Sequence, residues 1–287
     1  MKFGMNIAPF GDFADPLALA ELAQQAEQAG WDGFFIWDHV FFDPSFHPNL
    51  DPWVGLAAVA TATTHIKIGT MITPVPRRRP WKLARETVSV DRLSNGRLIL
   101  GVGIGDPAQW DYGFFHEETD AKIRAKKLDE GLDILTGLWS GDWFSYQGEQ
   151  YQIERIRFTP TPVQQPRIPI WVGGWYPNKP PMRRAAKWDG CYLIKNSPME
   201  PAEYKDALAY IRQYRTSDAP FDVVGSIVLP DDPGAARARL QEFADAGMTW
   251  FMHPNSPWDF GADWEAQWQP EYTTKMIERI ERGPVRL

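Results

Sequence analysis

The feature that most constrains this chain is an alternation. Eight short apolar runs, residues 3–8, 33–37, 66–73, 97–103, 168–173, 190–195, 221–228 and 248–253, read as buried strands, and segments with helical spacing lie between them. Asp15 caps and Pro16 starts the first helix, Leu19, Leu22, Ala23 and Ala26 give it one apolar face, and Gly30 supplies a left-handed stop. Asp232, Pro233, Leu240, Phe243, Ala244 and Gly247 repeat that plan near the end, and an apolar run follows each time. Further helices are expected over residues 52–63, 80–93, 119–139, 181–188, 201–214 and 273–280. Parallel neighbours need crossovers of this kind. Eight strand–helix units in 287 residues predict an α/β fold, a (β/α)₈ TIM barrel forming a single domain over residues 1–287. A doubly wound open sheet satisfies the same count and is the alternative. Residues 143–167 break the rhythm: a Gln147-Gly148 turn between aromatic and β-branched residues predicts a small hairpin insertion before the fifth barrel strand, either walling a pocket or meeting another subunit.

Composition narrows the function classes. With 44% hydrophobic and 23% charged residues the chain falls among ordinary globular proteins, and a net charge of −7 argues against a nucleic-acid partner. Cys191 is the only cysteine, so no intrachain disulfide is available and a reducing compartment is expected. The N-terminal MKFGMNIAPF lacks the pattern of a secretory leader, and no apolar run is long enough to span a membrane; a cytoplasmic location is the expectation. The 14 tryptophans fit either core and rim packing or a wide aromatic pocket for a planar ligand.

In a barrel the chemistry sits at the carboxyl ends of the strands. The polar residues expected there are Asn6, Asp38, His39, Thr73, residues 103–106, Gly173, Gly174, Asn196, His253 and Asn255, with Ser226 after the seventh strand. His39 is the leading candidate, because an imidazole changes charge near neutral pH and can donate or accept a proton. Asp38 beside it either raises its basicity or fixes the turn. Adjacent strand residues point to opposite sides, so the two are not expected to face one pocket together. A strand-end turn with a rim histidine is the plainer alternative. In GRLILGVGIGD the dinucleotide fingerprint fails at Asp106, and Gly103 and Gly105 are better read as allowing a flat ring to approach the backbone. After IPIWVGG, a helix near Pro181 with Arg183 or Arg184 could receive an anion. The basic PRRRPW after the third strand is either a solvated loop or a charge match for an acidic substrate. His47, His65 and His116 show no zinc-ligand spacing.

Three stretches in order, QQAEQAGWDGFFIWDHV, then AVATATTHIKIGTMITPVPRRRPWKLARETVSVDRLSNGRLILGVGIG, then IPIWVGG with RRAAKWDG, resemble the luciferase-like monooxygenase superfamily of flavin- or F420-dependent oxidoreductases. The resemblance covers most of residues 1–195; the C-terminal third matches only in rhythm. It implies a (β/α)₈ barrel that binds a flavin or deazaflavin at the carboxyl ends of its strands. His39 corresponds to the active-site histidine after the second strand, with Asp38 supporting it on the cofactor side. Thr73 and the turn Gly103, Ile104, Gly105 would line the isoalloxazine ring, and Gly173 with Gly174 would lie near the cofactor phosphate. Trp37-Asp38 stands where some branches carry an acidic residue or a second histidine, so the substrate class does not transfer.

The resemblance further implies a monooxygenase that oxidises a small organic substrate with O₂ and reduced FMN delivered by a separate flavin reductase. The alternative is F420, with its own reductase system, carrying hydride to or from the substrate. A homodimer is what the family suggests. Two rivals lie outside that chemistry: a glycoside hydrolase barrel using Asp38, Asp106 or Asp189, and a flavin-binding barrel without turnover.

Overall fold

The structure is a computed structural model and describes residues 1–42, 48–263 and 268–287. The elements run β1 (Lys2–Ile7), α1 (Pro16–Gln28), β2 (Gly33–Ile36), α2 (Pro52–Ala62), β3 (Lys67–Pro74), α3 (Pro80–Leu93), β4 (Leu98–Gly103), α4 (Ala108–Asp111) and α5 (Ala121–Trp139). They continue with β5 (Trp143–Gln147), β6 (Gln152–Arg157), β7 (Ile170–Trp175), α6 (Lys179–Ala185), β8 (Gly190–Ile194), α7 (Pro201–Arg212), β9 (Asp222–Gly225), α8 (Pro233–Asp245), β10 (Trp250–Asn255) and α9 (Pro270–Glu281). All eight expected barrel strands are present.

Closure decides between barrel and open sheet. β1 pairs with β2 on one side and with β10 on the other, in register Lys2↔Trp250 to Ile7↔Asn255, so the order β1-β10-β9-β8-β7-β4-β3-β2 has no edge. The expected caps explain where the helices begin. Asp15 accepts from the N–H groups of Leu17 and Ala18, Asp51 from Trp53 and Val54, and Asp232 from Ala235. Gly30 and Gly247, at φ +86° and +100°, make the matching left-handed stops.

Two apolar layers result. Phe3, Ile7, Phe34, Ile36, Ile68 and Leu100 point outward into the layer under the helices. Phe35, Met71, Ile99, Trp171, Val224, Trp250 and Met252 fill the barrel interior, where Phe35 stacks on Trp171 with ring centroids 5.2 Å apart. Trp171 and Trp250 are therefore core residues, which is the plainer of the two readings of the tryptophans. The insertion is an antiparallel hairpin, β5 with β6, as expected. It lies against α5, where the Glu130 carboxylate accepts the N–H groups of Glu149, Gln150 and Tyr151. None of its residues lines the cavity at the barrel mouth.

Candidate active site

β2 ends at Ile36, and the next three residues turn across the mouth. Asp38 lies behind the cavity wall and is 1% exposed. Its carboxylate accepts from Thr73 Oγ1 at 2.7 Å, from Arg78 Nη2 at 2.9 and 3.1 Å, and from Arg77 Nη2. Burial alone would raise its pKa; the Arg78 and Arg77 guanidiniums and the Thr73 hydroxyl outweigh that and hold it below the usual carboxylate range. Arg77 also donates to Asp111 Oδ1, at the end of α4, so one guanidinium ties two buried carboxylates together.

His39 takes its pose from this frame. Its Nδ1 lies 2.9 Å from Asp111 Oδ2, the Val40 N–H donates to Asp111 Oδ1 at 3.1 Å, and Asn49 Nδ2 donates to the His39 carbonyl at 2.9 Å. The ring packs 4.8 Å from Phe42 and 6.2 Å from Trp37, centroid to centroid. Both side chain and backbone are thus fixed.

His39 stands between two cavities. One, of about 420 Å³, is lined by charged and polar side chains, Arg77, Arg78, Asp111 and Asn49, and by apolar ones such as Leu50 and Phe115. The other, of about 390 Å³, opens on the barrel axis between Met71 and Ile72 of β3, Ile104 and Gly105 after β4, and Gly173, Gly174 and Trp175 of β7. Asn6, Trp37, Asp106, Tyr192 and Ile194 complete much of its wall. Across its rim Trp175 Nε1 donates to Asp106 Oδ2 at 3.1 Å. Asn6 Oδ1, on a residue 7% exposed, is buried without a hydrogen-bond partner, which marks a place where a ligand donor is wanted.

The pairing of β3 with β4 slips by one residue between Thr70 and Thr73, a bulge that turns Ile72 toward the mouth. A Cβ on Gly103 would meet Ile72 Cδ1 at 2.1 Å, and one on Gly173 would meet it at 2.8 Å. Gly105, at φ +82°, turns the chain away, and Tyr112 Oη and Arg124 Nη1 hold the Ile104 carbonyl at 2.9 and 2.7 Å.

Of the residues expected at the site, His39, Ile104, Gly105, Gly173 and Gly174 line the axial cavity; Asp38, Thr73 and Gly103 do not. The space beside Gly103 is taken by Ile72 instead of a ring, and Asp38 and Thr73 face each other behind the wall. Asp38 and His39 do point apart, Asp38 to Thr73 and His39 to the cavity, although the strand itself ends at Ile36. Tyr192, Ile72 and above all Asp111 had no signal in the sequence; Trp37 and Trp175, at the ends of apolar runs, fit the aromatic-pocket reading of the tryptophans, and Arg77 and Arg78 lie in PRRRPW and are neither solvated nor free. The helix after β7 begins at Lys179 and offers few amide donors, since Pro180 and Pro181 have none, and Arg184 is paired with Asp129 at 2.6 Å. His253 faces the helix layer, against Trp31 and Phe251, and Asn255 binds the Met276 carbonyl. His47 lies outside the described residues. Asp38 is enclosed, and Asp189 accepts the Ile170 N–H at the amino end of β7, so of the three candidate glycosidase carboxylates only Asp106 lines this cavity.

The chain belongs to the luciferase-like monooxygenase family, whose model matches residues 1–281. It is 33% identical over 164 residues to the oxygenase component of a flavin-dependent trigonelline monooxygenase of Acinetobacter baylyi, covering 56% of this chain and 43% of that one. It is 30% identical over 198 residues to an F420-dependent glucose-6-phosphate dehydrogenase of Nakamurella multipartita, covering 67% and 56%. The chain spans about half the length of these two relatives. Among solved structures the fold matches the coenzyme F420-dependent tetrahydromethanopterin reductase from Methanopyrus kandleri, with TM-score 0.74 and 19% identity over 98% of this chain and 97% of that one. It also matches the oxygenating constituent of 3,6-diketocamphane monooxygenase from Pseudomonas putida, with TM-score 0.64 and 21% identity over 80% and 67%. The Acinetobacter and Nakamurella relatives are both oxidoreductases.

Proposed function

We propose that the axial cavity receives the tricyclic ring of reduced FMN and that the protein oxidises a small organic substrate beside it, with His39 handling the proton. The observation that carries this is a histidine fixed at Nδ1 by Asp111 on the wall of a largely apolar cavity. The residues present fit such a ring. Gly105, Gly173 and Gly174 present backbone without side chains, Met71 and Ile72 offer an apolar surface, and Asn6 Oδ1 lacks a donor that a ring edge supplies. When bound, the flavin supplies the electrons that activate O₂; a separate reductase supplies the reduced flavin. The protein's own part is to hold the ring, keep water from it with Trp37, Phe42 and Trp175, and give or take a proton at His39. Among the described residues no lysine or arginine lines the cavity, so the substrate we propose is neutral and largely apolar.

A second reading, F420-dependent hydride transfer, is supported by the longer alignment to the F420-dependent relative, 67% of the chain against 56%. Anaerobic titration of the purified protein with reduced FMN and with F420 tests both. Tight binding of reduced FMN followed by O₂-dependent substrate oxidation is the expected result. Tight binding and turnover with F420 alone would replace the first reading by the second, and binding of neither would sink both.

A further inference from the structure

The contact between His39 and Asp111 fixes more than the pose of the ring. A neutral imidazole carries one N–H, and a nitrogen that faces a carboxylate oxygen is the one that carries it, because the oxygen accepts and the nitrogen must donate. Asp111 can play only the acceptor here. Its Oδ1 already receives Arg77 and the Val40 N–H, its side chain is wholly buried, and Arg77 anchors it to Asp38. Nε2 makes no protein hydrogen bond among the described residues and is not sealed from solvent. Asp111 lines one of the two cavities beside His39 and His39 lines both, so the ring reaches the axial cavity while its Nδ1 is taken by Asp111.

We infer that Asp111 is a positioning residue that holds His39 in the Nδ1–H tautomer, leaving the Nε2 lone pair as the atom that exchanges the proton in the axial cavity. Arg77 is the brace that keeps Asp111 in place. A proton taken at Nε2 leaves an imidazolium whose Nδ1–H still donates to Asp111, so the ring does not have to turn during the cycle. The catalytic consequence rests on the function proposed above; the tautomer does not.

The test uses full-length protein labelled with ¹⁵N-histidine, without added cofactor, at about pH 8.5, where a free imidazole is neutral. Two-bond ¹H–¹⁵N correlations report which nitrogen carries the proton, and loss of one signal set in His39→Gln assigns His39. The expected pattern is a protonated Nδ1 and a bare Nε2. In Asp111→Asn, whose amide can donate to the ring, the pattern should mix or reverse; kcat should fall on the order of 100-fold with cofactor affinity little changed, and Asp111→Glu should recover part of the loss. If Asp111→Asn does not fold, Arg77→Gln should mix the tautomers instead. A wild-type His39 protonated at Nε2, or a variant spectrum identical to wild type, would overturn the inference. If the protein turns nothing over with either cofactor, the spectrum still decides the tautomer, and only the proposed function falls.

Discussion

His39 is held at its Nδ1, at its carbonyl and across its ring face, and Asp111, which holds the Nδ1, is itself tied to Arg77. Such a side chain loses little freedom when a ligand arrives, which is what a proton-transfer group requires. Replacing His39 with Ala is therefore expected to lower kcat by about 10²-fold or more while the cofactor Kd moves little, read by steady-state kinetics beside a fluorescence titration. Unchanged turnover would remove His39 from the mechanism. Asp38 predicts a different outcome. Its carboxylate pairs with two largely buried guanidiniums, so Asp38→Ala should destabilise the fold by about 3 kcal/mol in urea unfolding, because Arg77 would keep only Asp111 and Arg78 only the longer contact with Glu86. A loss under about 1 kcal/mol would show that water reaches the pair and that Asp38 is not a structural anchor.

At the scale of elements, the strands were legible because an apolar run bounded by turns has few other uses, and the helices because Asp-Pro starts and Gly stops are local chemistry. The site was legible only in part. His39 follows a strand and is visible from its position, but Asp111 sits at the end of a four-residue helix without periodicity, and nothing local says which histidine it will meet. The bulge in β3 is equally silent, because register is decided by the neighbouring strand. Hence Gly103 looked like room for a ring when its missing Cβ is room for Ile72. This gives an element-scale prediction. Gly103→Ala should cost about 1–3 kcal/mol by forcing Ile72 aside, and Ile72→Val, which removes Cδ1, should restore much of it in the double variant. Additive losses in urea melts of the two single variants and the double variant would refute the packing account.

At the scale of the whole molecule, the strand that closes the barrel carries a titratable group into the helix layer. His253 lies on β10 between Trp31 and Phe251, its Nδ1 is 3.0 Å from the Pro254 carbonyl, and Arg279 donates to the same carbonyl. Burial lowers its pKa from 6.5 to about 4; the Pro254 carbonyl opposes the shift and Arg279 adds to it. The sign follows from proton counting. Between pH 6.5 and about 4 the unfolded chain binds a proton on this ring and the folded chain does not, so stability present above pH 6.5 is lost as pH falls toward 4 and stops changing below it. At about 1.4 kcal/mol per pKa unit the loss reaches up to about 3 kcal/mol. Asp38, with its depressed carboxyl, adds a separate loss only below the ordinary carboxylate range. The unfolding free energy of wild type minus that of His253→Phe, measured across pH 4 to 7, should therefore fall by up to about 3 kcal/mol as the pH is lowered, because the variant has no proton to take up on unfolding and other groups cancel in the difference. Parallel curves would mean that the His253 ring is solvated in the folded protein and not packed between Trp31 and Phe251.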